Sequence, residues 1–327
     1  MSRILKYKDS LIKFIKERSC LYDNKNFNQK ELKVDTLLNN YTKNTDLMLP
    51  ILFLTVMNSQ NKKNKITVQG YYGATSMEIL NLILNIKNDN ENFVKMYGKD
   101  NYYKIILYLI MSSFKSIYQN LELVQNIFNK EKYTQVFDHI LNIYFENINF
   151  VNFLSEDQFE INDNKIHKDL LNWYIKDDQS LTVKLLKLNQ VNRESFLNYL
   201  NKTYGLLCET AFSTGWLIGG GEEKDLIQIK KISKYFTFIF KLGKDFLFLE
   251  EDMRQCKNNY SKNYIINYGL QDSYEIFMYN KQKFIEETML LDIFTNTTKE
   301  IVDFIENIVD NVIEDTSPDI KSLCSNK

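Results

Sequence analysis

Hydrophobic residues recur along much of the chain at three- and four-residue spacing, the period that places them on one face of an α-helix. Met77, Leu80, Ile83 and Leu84 form one such stripe. Ile105, Leu109 and Ile110 form a second, and Val136, Ile140, Ile143 and Tyr144 a third. A fourth comprises Ile229, Ile232, Phe236, Ile239 and Phe240. Across residues 273–313 the rhythm continues through Phe277, Phe284, Leu290, Phe294, Ile301, Phe304, Ile308 and Val312, predicting one or two amphipathic helices. Breaks are expected at residues 58–65, 157–164, 219–221 and 257–262, none of them long enough to be a domain linker. The reading is a single domain over residues 1–315 with a flexible C-terminal tail, 316–327.

Punctuation supports helices. Two prolines and ten glycines in 327 residues are too few for the tight turns of a β-sandwich or a doubly wound sheet. The apolar run at residues 47–57 contains Pro50 and Thr55 and falls well short of the ~20 residues that span a bilayer. No transmembrane anchor is expected.

Charge narrows the partners. With 41 Lys+Arg against 42 Asp+Glu the net charge is -1, and no basic stripe is available to meet a nucleic-acid backbone. Arg3, Arg18, Arg193 and Arg254 are the only arginines, so bidentate recognition of phosphate must largely give way to lysine. The lysine-, asparagine- and isoleucine-rich composition is that of an AT-rich genome. Cys20, Cys208, Cys256 and Cys324 show no CxxC spacing, and the lysine-laced N-terminus has no signal-peptide core, which points to an intracellular, cytoplasmic setting. His139 and His167 lack ligand spacing and read as structural. Gly219, Gly220 and Gly221 fit no phosphate-binding pattern and read as a helix end and turn.

Two segments carry candidate chemistry. One runs from Glu78 along an apolar helical stretch to Asn88, Asp89, Glu91 and Asn92; the other runs from Phe240 and Lys241 through Lys244 and Asp245 to Phe248. Between them lie Lys202-Thr203 and a Gly215-Trp216 stretch ending at Gly219, followed by Asp225 to Ile229. In this order and spacing they resemble the trans-prenyl diphosphate synthase family. The Gly-Trp stretch resembles in particular the synthase homologues of large cytoplasmic DNA viruses, a source that would add virion or host cytoplasm to the settings. Asn88, Asp89 and Asn92 fall on the three aspartates of the family's first motif, and Lys244, Asp245 and Phe248 on those of the second. Only the middle aspartate is kept in each. Lys202-Thr203 matches a pair whose lysine faces diphosphate, and Pro50 is all that remains of the early basic signature.

The resemblance implies an all-α isoprenoid-synthase-like bundle of about ten or more helices around a central cavity. In the family, carboxylates at i and i+4 on two facing helices hold Mg²⁺ ions that bridge an allylic diphosphate. Here Lys244 puts a positive charge where a ligand is needed and Phe248 offers no donor. The expected function is therefore a polyprenyl-synthase-like protein without catalysis, acting as a scaffold, regulatory or partner subunit. Its partner would be a second copy or an active synthase subunit, with an apolar cavity able to hold a prenyl or lipid chain. The alternative is an active Mg²⁺-dependent transferase condensing isopentenyl diphosphate with an allylic diphosphate. In that reading Asp89, Glu91 and Asp245 hold the metal, and Lys202, Thr203, Lys241 and Lys244 meet the substrate. The floor of the cavity would lie around Asn81, Ile83, Leu84 and the stretch from Gly73 to Met77.

Overall fold

The computed structural model describes residues 2–18, 46–148, 191–255 and 261–316. Helices α1 (Arg3–Arg18), α2 (Met48–Asn64), α3 (Tyr71–Asn88), α4 (Asn90–Tyr97), α5 (Lys99–Gln125) and α6 (Lys130–Asn147) make the first half. The second half begins with α7 (Arg193–Leu200), a π-helical turn (Asn201–Gly205) and α8 (Leu206–Ile218). It continues with α9 (Leu226–Leu247), α10 (Leu249–Gln255), α11 (Tyr264–Tyr268), α12 (Leu270–Leu290) and α13 (Asn296–Thr316). The all-α expectation and the helix number hold. All four hydrophobic stripes lie within helices, and the C-terminal pattern resolves into two, α12 and α13. His167, Cys20, Cys256, Cys324, the expected break at 157–164, most of that at 257–262 and the tail from 317 lie outside the described residues. Among the described residues no helix is long and apolar enough to cross a membrane.

Helix α8 is the axis of the bundle. Leu207, Cys208, Ala211, Phe212, Trp216, Leu217 and Ile218 are all buried, as are the small polar residues between them. A helix apolar on every side must be surrounded, and α8 packs against α2, α6 and α9. Two glycines set how close α2 comes. A Cβ on Gly215 would stand 2.8 Å from the Phe53 carbonyl oxygen, and one on Gly219 would stand 2.5 Å from that of Met57. The Gly-Trp-Leu-Ile-Gly spacing thus presents two bare backbone patches, one helical turn apart, to α2. The turn after α8 matches its expectation: Gly220 adopts φ +88, and the Gly221 amide donates back to the Trp216 carbonyl.

One expected break is corrected. Residues 58–64, a polar run read as a loop, continue α2 to Asn64. Gln60 and Asn61 are buried, and the Asn61 amide donates to the Val68 carbonyl at 2.9 Å. Polarity here marks a helix end folded back on its own loop, and the chain leaves the helix only at Lys65, in the left-handed conformation. Cys208, the described cysteine, is buried without a disulfide, and burial pushes its thiol up to about 12, so it stays protonated at neutral pH.

The backbone oxygens facing Gly215 and Gly219 cannot swing away as a side chain could. Gly219→Ala is expected to cost about 1–3 kcal/mol by overpacking, read as a lower urea midpoint at unchanged slope.

Candidate functional site

Helices α3 and α9 both end at one cavity of about 1090 Å³. Asn81, Asn85, Asn88, Asp89, Glu91 and Asn92 line it from the first candidate segment. Lys241, Lys244, Asp245 and Phe248 line it from the second. The two segments matched in sequence, with about 150 residues between them, therefore meet around one space. Asn81 lines it, as expected, but Ile83, Leu84 and the stretch from Gly73 to Met77 are buried in the core instead.

Asn88, Asp89 and Asn92 of the first segment are engaged. The Tyr199 hydroxyl donates to the Asn88 side-chain oxygen at 3.0 Å, and the Asn88 amide reaches the Tyr204 hydroxyl at 3.5 Å. Asn88 thus ties α3 to the α7–α8 junction. Asp89 joins α3 to α4 on the exposed lip and accepts from the Asn92 amide at 2.7 Å. Glu91 is exposed on the same lip.

The second segment is more deeply set. The Lys241 ammonium pairs with Asp245 one helical turn on, and both side chains are only 5% exposed. Lys241 also donates to the Lys262 carbonyl at 2.9 Å and stands 5.6 Å from the Phe196 ring and 5.7 Å from the Tyr204 ring. The second Asp245 oxygen accepts the Tyr264 backbone N–H at 2.9 Å, and its carbonyl accepts the Asn263 amide. That same amide donates to Asp252 at 2.8 Å. Lys244 stands 4.6 Å above the Phe240 ring and 3.7 Å from Asp46. Phe248, nearly half exposed, forms an apolar rim with Leu5, Leu247 and Phe304.

Burial dominates the electrostatics. It pushes the Asp245 carboxyl up to about 6, although Lys241 and the Tyr264 N–H pull it back down. Asp252 is raised for the same reason, and burial holds the Tyr204 phenol well above its usual range.

Lys202 and Thr203 are not part of the cavity wall. Thr203 is fully buried, and its hydroxyl donates to the Tyr199 carbonyl at 2.7 Å. The π turn that carries the pair shifts the register so that Tyr204 lines the cavity. Sequence reasoning missed Tyr199 and Tyr204 on either side of the pair, Asn263 just past the stretch read as a break, and Asp46 and Lys8, for which no pattern gives a signal. His139, partly exposed, has its Nε2 2.9 Å from Glu223.

These residues do not fit Mg²⁺, which demands near-octahedral oxygen ligation. The Asp245 oxygens are taken by Lys241 and a backbone amide, the Asn88 oxygen accepts from Tyr199, and Lys244 and Phe248 supply no donor atom. Among the described residues no group of three His, Cys, Asp or Glu side chains is placed to hold a metal ion.

Two predictions follow from the buried pair. Lys241→Met strands a carboxylate in the wall and is expected to cost about 3–5 kcal/mol at pH 7, with the loss shrinking on acidification as Asp245 takes up a proton. The pH dependence has a definite sign. Between about pH 4 and 6 the folded chain retains a proton on Asp245 that the unfolded chain has released, because the folded value lies above the usual 3.8. Stability therefore falls as pH rises through this window, by up to ~1.4 kcal/mol per pH unit, and levels off above it. Asp245→Asn should remove that slope from unfolding curves measured between pH 4 and 7.

The sequence matches no family model and no curated protein. Solved structures do match. The apo FPP/GFPP synthase from Zymomonas mobilis superposes with a TM-score of 0.52 at 10% identity, covering 94% of this chain and 97% of that one. The geranyltransferase from Helicobacter pylori 26695 gives 0.54 at 12% identity, covering 96% and 99%. The chain therefore has the all-α fold of these two enzymes.

Proposed function

We propose that the chain is a polyprenyl-synthase-like protein whose metal and diphosphate motifs have degraded, that it does not catalyse prenyl transfer, and that it serves as a scaffold or partner subunit. One observation carries this reading: Asp245, the aspartate kept from the second motif, is already neutralised by Lys241 inside the wall. Ionising an allylic diphosphate needs charge stabilisation on the departing group. An ammonium locked to a buried carboxylate, hydrogen bonded to a carbonyl and packed against two rings is poorly placed to supply it.

The partner surface lies elsewhere. Tyr103, Leu107 and Met111 stand one turn apart on the solvent side of α5, with Tyr118 two turns further on, each between 48% and 62% exposed. Phe145 of α6, 60% exposed, extends the strip, its ring 5.4 Å from Phe114. A strip of large apolar side chains across two neighbouring helices costs free energy in water and is the kind of surface a subunit covers. We assign it to a second subunit of the same fold, either another copy or an active synthase.

Turnover is the direct test. Purified protein with Mg²⁺, isopentenyl diphosphate and C5, C10 or C15 allylic diphosphates is expected to yield no product. Product that disappears in an Asp89→Ala/Asp245→Ala double variant would instead establish an active transferase. For the partner, sedimentation velocity is expected to show a dimer, alone or with an active synthase, which Leu107→Asp/Met111→Asp dissociates. A monomer in both mixtures would remove the subunit reading.

A further inference from the structure

The arrangement of lysines in the cavity points to a different way of holding an anion. Resting on the reading above, we propose that the cavity binds a phosphate-bearing ligand without a divalent cation, Lys241 occupying Asp245 in the metal's place and Lys244 meeting the phosphate directly.

Three observations support this. First, Lys241 is a tethered cation. Its ammonium sits on the carboxylate, its position is fixed by the Lys262 carbonyl, and its stem is buried. A metal ion approaching Asp245 would have to displace that ammonium and leave a second positive charge beside it in a low-dielectric wall, which is strongly unfavourable.

Second, the interior and the lip differ in sign. The buried and half-buried lining carries four lysines, Lys8, Lys241, Lys244 and Lys262. Against them stand three aspartates, Asp46, Asp245 and Asp252, which leaves one net positive charge inside. The carboxylates of Asp89, Glu91 and Glu251 lie on the exposed lip, where water screens them. A phosphate group therefore gains on moving past the lip.

Third, Lys244 is poised without being spent. Its ammonium lies 3.7 Å from Asp46, within ion-pair range but too far for a hydrogen bond, and 4.6 Å over the face of Phe240. Ring and carboxylate hold the charge in the cavity while its N–H donors can still turn to phosphate oxygens. Lysine serves phosphate as a point charge and needs no metal bridge. The apolar rim of Leu5, Leu247, Phe248 and Phe304 lies beside this position and suits a hydrocarbon attached to the phosphate.

Calorimetric titration of inorganic diphosphate into the full-length protein in EDTA tests the proposal. Binding is expected in EDTA, unchanged within about twofold when Mg²⁺ is added, and weakened about tenfold or more by Lys244→Gln, the loss of one charge-assisted contact. Lys244→Gln leaves the buried pair intact, so its folding is not at issue. In Lys241→Gln, where it folds, Asp245 loses its internal cation and Mn²⁺ binding should appear by electron paramagnetic resonance. Binding that requires Mg²⁺ in the wild type, no binding of diphosphate, or indifference to Lys244→Gln would each overturn the proposal. None of these depends on turnover: Mg²⁺-dependent binding without product would sink this inference and leave the non-catalytic reading standing, whereas product formation would sink that reading.

Discussion

A lysine and an aspartate one turn apart on α9, both withdrawn from water, organise this end of the molecule. Removing two charges from solvent costs several kcal/mol each and is tolerable only when every remaining valence is satisfied. The structure meets most of that demand. The Lys262 carbonyl, the Tyr264 amide and the Asn263 side chain converge on the pair from the segment before α11. Asn263 also caps α11 through the amides of Ile265 and Ile266, so the cap and the ion pair fix the same stretch of chain. Tyr204 and Phe196 cover Lys241 from the α7–α8 side. Tyr204, Lys262 and Asn263, which contact the pair, line the cavity as well.

A second constraint acts at the middle of the bundle. The two bare glycine patches of α8 let α2 approach to backbone contact, and α2 carries in its first turn Met48, which lines the cavity, with Asp46 just before it. The position of Asp46 near Lys244 thus depends on glycines far from either residue. This is how a close-packed interior transmits a local choice of residue over a distance.

Much of the fold is legible in the sequence because helical periodicity is a local signal. The stripes at Met77–Leu84 and Ile229–Phe240 report burial directly, and the glycine triplet reports a helix end. The polar run at 58–64 misleads because amide side chains can be buried when they find a carbonyl, as Asn61 does with Val68. In the site, ordered motif fragments bring Asp89, Glu91 and Asp245 to one cavity. The spacing of Lys241 and Asp245 is itself an i,i+4 ion-pair signal, the same geometry that would have aligned two metal ligands. What periodicity cannot reveal is the contribution of distant segments: Asp46, Lys8 and Asn263 reach the cavity only through tertiary packing. The fate of Lys202 and Thr203 likewise depends on a backbone irregularity that leaves no mark in composition.

That irregularity carries register information. The π turn at Asn201–Gly205 holds one residue more than a continuous α-helix would need at that point. Were these same residues wound instead as regular α-helix, every side chain upstream would rotate by about 100° relative to those downstream. Tyr199 would swing away from Asn88, and the bond between α3 and this junction would be lost. The wide turn is thus a phase setting, with Tyr199 on the cavity side and the core of α8 in place only while the π winding is kept.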